Sequence, residues 1–326
     1  MRVLVTGGAG FLGSHLVDRL AGEGAEVVVL DDLSTGSADH LAGEHAPGMV
    51  TLLEGDVRDR GLLRPAVAQA DVVFHLAAAV GVRRVAEDPV GTWSRNVDGT
   101  AAVLEACAER GTRCLVTSTS EVYGPRASGA LCEDDPVTVE PAGRRDVYAV
   151  SKMAGEALAM ALHRTSLLPV TVARLFNVVG PRQSERYGMV LPRFARAAVL
   201  GEALTVHGDG RQTRAFLHVA DAVSALCALA STSASEGLVV NVGSVEEVAI
   251  LDLAHRVVSA AGSASPIRHV PFEQVYGEGF VDPSCRRPDV SRLRALTGFI
   301  PRHRLEDAVA DVIASLPARE GSSSRS

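Results

Sequence analysis

The sequence predicts an α/β protein: a doubly wound parallel sheet with a smaller, discontinuous C-terminal domain. Three observations lead there. Strand-like apolar runs alternate with helix-like segments through the first half of the chain. Those runs are apolar almost throughout rather than at every second residue, as strands covered on both faces must be. The chain also opens on a strand that runs into a glycine-rich turn and a helix, MRVLVTGGAGFLG.

In chain order, RVLVT (2–6) is a strand, FLGSHLVDRLAGEG (11–24) a helix and EVVVL (26–30) a strand. DVVFHLA (71–77) is the next clear strand. Residues 96–110 then form a helix, RCLVTST (113–119) a strand, residues 148–163 a helix and PVTVARLF (169–176) a strand. After that the pattern mixes. Residues 180–216 hold turn signals, a helix and many arginines, and FLHVADAVSALCALA (216–230) returns to the sheet and adds a helix. The expected organisation is a sheet domain over 1–178 with return segments near 215–262. A smaller domain takes 179–214 and 263–316. The polar, small-residue end PAREGSSSRS (317–326) is expected to be a disordered tail.

Bulk properties narrow the function. The chain has 326 residues, 47% hydrophobic and 22% charged, ordinary for a globular enzyme. A net charge of -7 argues against nucleic-acid binding, although clustered arginines suit a small anion. Its five cysteines, Cys107, Cys114, Cys132, Cys227 and Cys285, are odd in number and lack CxxC spacing. A disulfide framework or metal site is therefore not expected, and a reducing compartment is. With no signal-like N-terminus and no apolar run of about 20 residues, the expected location is cytoplasmic and not membrane-bound.

VTGGAGFLG places Gly7, Gly10 and Gly13, with Phe11 and Leu12, between a strand and a helix. Such glycines let the backbone approach a pyrophosphate at a helix N-terminus, so the sheet reads as Rossmann-type. Asp31 ends the next strand, 18 residues after Gly13, where an acid accepts bonds from the adenosine ribose. Asp31 and Asp32 would repel a 2′-phosphate, which favours NAD over NADP. Asp56 and Val57, in GDV, fit a further strand end near the adenine.

YAVSK sets Tyr148 and Lys152 on one helix face. An ammonium near the phenol favours phenolate and is expected to lower the Tyr148 pKa. Tyr148 then becomes a base for a sugar hydroxyl, and Lys152 also holds the nicotinamide ribose. TSTSEVYG (117–124) ends a buried strand on hydroxyls and a carboxylate, which a core strand seldom does.

Together TGGAGFLG, HLAA, TSTSEVYG, YAVSK, RLFNVVGPRQ and GDGRQTRAFLHVAD resemble the extended short-chain dehydrogenase/reductases that act on nucleotide sugars. The resemblance runs over residues 1–316. It implies cofactor contacts at Leu76, Ala77 and Ala78, a catalytic Thr119–Tyr148–Lys152 set, and a homodimer. It also implies substrate contacts at Asn177, Arg193, Arg214 and Arg286. The family's 4,6-dehydratases read Thr-Asp-Glu where this chain reads Thr119-Ser120-Glu121; its simple 4-epimerases have no carboxylate there. Keeping the carboxylate and losing the acid resembles the UDP-glucuronate decarboxylases, as do GRQTRAF and CRRPDVSRLRALTGFIP. That likeness implies Arg286 beside the sugar, with Ser120 and Glu121 in the reacting set. DDLSTGS and YAVSK are more similar to the epimerases, so nucleotide-sugar 4-epimerisation is the alternative. A non-catalytic NAD-binding regulator is a third reading, opposed by the intact Thr119, Tyr148 and Lys152.

Overall fold

Runs rich in β-branched and aliphatic side chains form the strands, because side chains stiff at χ1 favour extended backbone. The computed structural model describes residues 1–43, 45–124, 129–138, 146–185, 188–277 and 285–316. The tail expected over 317–326 lies outside the described residues. Along the chain come β1 (Arg2–Thr6), α1 (Phe11–Gly22), β2 (Glu26–Asp31), β3 (Val50–Glu54), α2 (Arg60–Ala68), β4 (Val72–His75) and α3 (Val82–Glu87). Next are α4 (Pro89–Arg110), β5 (Arg113–Thr119), β6 (Ala130–Leu131), α5 (Asp146–Ser166), β7 (Val170–Leu175) and β8 (Val178–Val179). After them stand α6 (Val190–Leu200), β9 (Leu204–His207), β10 (Thr213–Ala215), β11 (Leu217–His218), α7 (Val219–Ser231), β12 (Leu238–Val242) and β13 (Glu247–Ala249). The last are α8 (Ile250–Ala260), β14 (Ile267–Val270), α9 (Phe272–Tyr276), β15 (Cys285–Pro288), α10 (Ser291–Thr297) and α11 (Leu305–Ser315).

Seven strands form one parallel sheet in the order β12-β7-β5-β4-β1-β2-β3. The chain winds outward from β1 to β3, then crosses back to β4. The direction of winding therefore reverses between β1 and β4, and a crevice opens at their carboxyl ends. Period-two alternation feeds two apolar layers. Val3 and Val5 pack with Leu16 and Leu20 of α1 and Leu226 of α7. Leu4 turns the other way, onto Leu63 of α2 and Leu104 of α4.

A third core holds Leu191 and Phe194 of α6, Leu253 and Val257 of α8, and Val309 and Val312 of α11. Two segments sit differently from the sequence expectation. Residues 247–260 were expected among the returns to the sheet, yet α8 packs in this third core. After β12 the chain leaves the sheet, and β13 pairs antiparallel with β10, which carries α8 away. Conversely α10, expected in the smaller domain, packs Leu293 into the first layer against α7 and β12. Among the described residues no helix is long and apolar enough to cross a membrane.

Candidate active site

The turn after β1 is shaped by contacts that only glycine permits. Gly7 has φ of 73°, and a Cβ there would stand 2.6 Å from the Ala77 nitrogen. A Cβ on Gly13 would stand 2.1 Å from the Gly7 carbonyl oxygen, so α1 starts this close to β1 only without one. Gly10 differs: a Cβ there would meet only the Gly7 oxygen, at 3.2 Å. Among the described residues no other atom is met there, and Gly10 lines a cavity together with Phe11 and Leu12. The first turn of α1 carries no acid and no side-chain cap. Its N–H groups and partial positive charge therefore remain for an anion.

Asp31, buried at the end of β2, accepts the Ala9 and Leu33 N–H groups at 2.9 Å each. Burial raises its pKa above the usual carboxylate range, and these two bonds oppose the rise. Asp32, Asp56, Val57, Leu76, Ala77 and Ala78 line the same end of the cavity. Asn96 of α4 was missed by sequence reasoning. Its Oδ1 accepts the Ala79 N–H at 2.7 Å, and its Nδ2 donates to Ser151 Oγ at 2.9 Å. It thus ties the loop after β4 to α5. Thr92, Asn96 and Thr100 recur at four-residue spacing on α4, and this polar stripe was the available signal. The glycine cradle, the free helix N-terminus and the acid at the end of β2 fit NAD. Affinity for NAD is expected to exceed that for NADP, because Asp31 and Asp32 oppose a phosphate; equal affinities in a calorimetric titration would contradict this.

At the carboxyl end of β5, Thr119 Oγ1 accepts the Glu121 N–H at 3.2 Å and so caps a short 3-10 turn over 120–123. The capping places Ser120 and Glu121 on the cavity wall with Thr119. Tyr148 and Lys152 enter from the first turns of α5 and line the same wall. Lys152 is the only lysine in a chain otherwise supplied with arginine. Arginine stays protonated in proteins, whereas a lysine ammonium titrates when buried. Lys152 Nζ donates to the Thr117 carbonyl at 2.8 Å, and burial pulls its pKa down to about 8 against the opposing charge of Glu156. Beside it His75 is held neutral by burial, with a pKa of about 3, between Thr6 and Thr100.

Tyr148 departs from the sequence expectation. Burial pushes its pKa up, the Glu121 carboxylate adds to the rise, and the Thr119 hydroxyl bond opposes it. The contributions that set it are burial, the Glu121 charge and the Thr119 bond, and the Lys152 ammonium is not among them.

Across the cavity, β10 and β15 are parallel neighbours with Arg214 opposite Arg286. Both line the cavity, and like charges at one register position favour an anion between them. Arg193 of α6 donates to His207 Nε2 at 2.6 Å; burial, then the Arg193 charge, holds His207 at about 4 and therefore neutral. Asn177 adopts φ of 33° and donates through Nδ2 to the Ala215 carbonyl at 3.1 Å. Asn177, Arg193 and His207 complete this wall. His207 and Phe272, which sequence reasoning did not single out, reach it through the strand pair β9–β14. Every residue proposed from sequence thus lines one cavity of about 820 Å³.

A doubly wound sheet with this cavity at its switch point defines a dinucleotide-dependent enzyme of the extended short-chain dehydrogenase/reductase class. The chain belongs to the NAD dependent epimerase/dehydratase family, which matches residues 3–243. NAD is its cofactor. A UDP-N-acetyl-alpha-D-glucosaminuronate decarboxylase of Bacillus cytotoxicus is 37% identical over 96% of both chains. UDP-glucuronic acid decarboxylase 1 of Danio rerio is 36% identical, over 96% of this chain and 72% of its own. Among solved structures, a UDP-glucuronic acid 4-epimerase from Bacillus cereus, with UDP-glucuronic acid and NAD, superposes with a TM-score of 0.85. It is 28% identical and covers 97% of this chain and 98% of its own.

Proposed function

We propose that the chain is an NAD-dependent decarboxylase of UDP-glucuronic acid or a related NDP-uronic acid. It works through a 4-keto sugar and yields UDP-xylose, UDP-4-keto-xylose or both. The observation that carries this reading is Glu121 beside Ser120, on the cavity wall shared with Tyr148 and Arg286. The decarboxylase relatives support it.

When bound, NAD supplies a positively charged nicotinamide ring that accepts a hydride from C4 and later gives it back. The Gly7–Gly13 turn and Asp31 hold it. Tyr148 Oη takes the proton of the C4 hydroxyl, and Thr119 keeps that oxygen hydrogen-bonded. C4 then carries a ketone, β to the C5 carboxylate. The C5–carboxylate bond breaks, carbon dioxide leaves, and its electron pair becomes the enolate of C5, C4 and the C4 oxygen. Arg286 orients the carboxylate, and Thr119 and Ser120 steady the enolate oxygen. Glu121 positions the sugar or passes a proton to C5. Arg214, Arg193 and Asn177 hold the diphosphate end. The reading includes a homodimer.

The structural likeness to the UDP-glucuronic acid 4-epimerase favours a second reading, in which the 4-keto sugar is reduced on its other face. Incubation with UDP-glucuronate, its 2-acetamido counterpart and UDP-glucose, then NMR of the products, separates the two. A pentose and carbon dioxide are expected from a uronate. Glucose should yield little 6-deoxy-4-keto sugar, because Ser120 is too weak an acid to expel the C6 hydroxyl. If a uronate gives only its 4-epimer, the epimerase reading takes over.

A further inference from the structure

From Ser118, which lines the cavity, a row of buried polar groups that the proposed reaction does not use runs beneath it. Arg174 on β7 stands at the register position shared by Ser118 on β5 and Asn241 on β12. Glu156, one turn beyond Lys152 on α5, meets Arg174 with two paired bonds, Nε–Oε1 at 3.0 Å and Nη2–Oε2 at 2.7 Å. Glu156 Oε1 also accepts the Ser118 hydroxyl at 2.5 Å. The Arg174 guanidinium lies 4.8 Å over the Tyr123 ring, and the Tyr123 hydroxyl donates to Asn241 Oδ1 at 2.8 Å. Asn241 Nδ2 donates to the carbonyls of Leu131 and Asp289 at 2.9 and 3.3 Å. Those two residues flank the β6–β15 pairing, and β15 carries Arg286.

The ion pair is almost fully enclosed, with side chains 6% and 9% exposed. A buried pair of this kind seldom adds net stability over apolar packing of similar volume. Its members and their partners instead touch both ends of the catalytic wall. Ser118 precedes Thr119, Tyr123 closes the turn bearing Glu121, Glu156 stands one turn after Lys152 on one helix face, and Asn241 reaches the strand of Arg286. We infer that Ser118, Glu156, Arg174 and Asn241 form a positioning unit, which holds the Thr119–Glu121 turn, the Lys152 turn of α5 and the Arg286 strand in one register. The inference rests on the proposed C4 oxidation and is independent of the later steps at C5.

Charge is part of the device. The groups facing Lys152 are Glu156 from α5, His75 from β4 and the Thr117 carbonyl from β5. His75 is neutral, so Glu156 is the negative charge that keeps the ammonium protonated near neutral pH, against burial. Glu156 is in turn faced by Arg174 and Ser118.

The test uses the full-length, NAD-loaded protein. Because Lys152 is the only lysine, selective isotope labelling gives one ε-amine NMR signal to titrate. The variants are Glu156→Gln combined with Arg174→Met, which leaves no buried charge alone, and Ser118→Ala, which leaves both charges in place. Reduced-cofactor absorbance after adding a nucleotide sugar reports C4 oxidation, a step common to decarboxylation and epimerisation. Failure of the substrate assignment therefore leaves this readout intact, and the Lys152 titration needs no turnover. In the double variant the Lys152 titration should fall, and the alkaline limb of C4 oxidation should move with it. Ser118→Ala should keep the titration and slow C4 oxidation at unchanged KM. An unchanged titration and limb in a folded double variant overturn the inference. Should that variant not fold, Ser118→Ala decides alone: a wild-type rate overturns the inference and a slower rate at unchanged KM supports it.

Discussion

Tyr148→Phe is expected to abolish turnover and leave NAD bound. In the proposed mechanism the phenol takes the C4 proton, and Thr119 bonds it while the Glu121 charge acts on it. Phenylalanine keeps the ring and its packing on α5 but has no atom to accept a proton. Losing one acid/base group costs typically 10²–10⁴-fold, and this group serves both the oxidation and the return of hydride, so the upper end is expected. Cofactor affinity should hardly change, because the proposed grip lies in the Gly7–Gly13 turn and Asp31 rather than at the phenol. Activity with a nucleotide sugar and NAD binding by calorimetry are measured on the same preparation. Near-wild-type activity would remove Tyr148 as the base.

The strands of the central sheet were legible because residues such as Val3, Val27 and Val72 sit in runs long enough to show their character. The cofactor turn was legible for a steric reason: Gly7 and Gly13 occupy places where a Cβ would strike backbone. The strand order is set by contacts between residues far apart in sequence, and local pattern does not encode it. Strands of two residues, such as β6 and β8, are too short to show periodicity. Residues 247–260 looked like a return to the sheet because an apolar helix face reads alike whichever core receives it. Tyr148 and Lys152 were singled out by spacing, but the Tyr148 pKa was assigned in the wrong direction. Helix spacing puts two side chains on one face; it says nothing of the burial of the phenol or of the Glu121 carboxylate beside it, which raise its pKa. The Glu156–Arg174 pair was likewise invisible, since an acid on a helix and an arginine in a strand read as ordinary surface charges until the fold buries them together.

Glu121→Gln should separate two steps that share one wall. If the carboxylate passes the proton to C5, carbon dioxide release from a uronate should slow by roughly 10²–10⁴-fold. Its charge also holds the Tyr148 pKa up. The phenolate is the basic form, present above that pKa. Removing the negative charge lowers the pKa, so the rise of C4 oxidation with pH should move to lower pH in the variant. Reduced cofactor should then accumulate at pH values where the wild type shows little, while carbon dioxide release lags behind it. Arg286→Ala should impair the same late step for a different reason. Arg286 and Arg214 occupy one register position across β10 and β15, so its loss removes half of a paired cationic surface. Uronate binding should weaken with it, and the pH dependence of C4 oxidation should stay in place. Rapid-mixing measurements of reduced cofactor and released carbon dioxide across pH distinguish these outcomes. If both signals slow together in Glu121→Gln and the pH dependence does not move, Glu121 only shapes the turn, and the proton at C5 comes from another group.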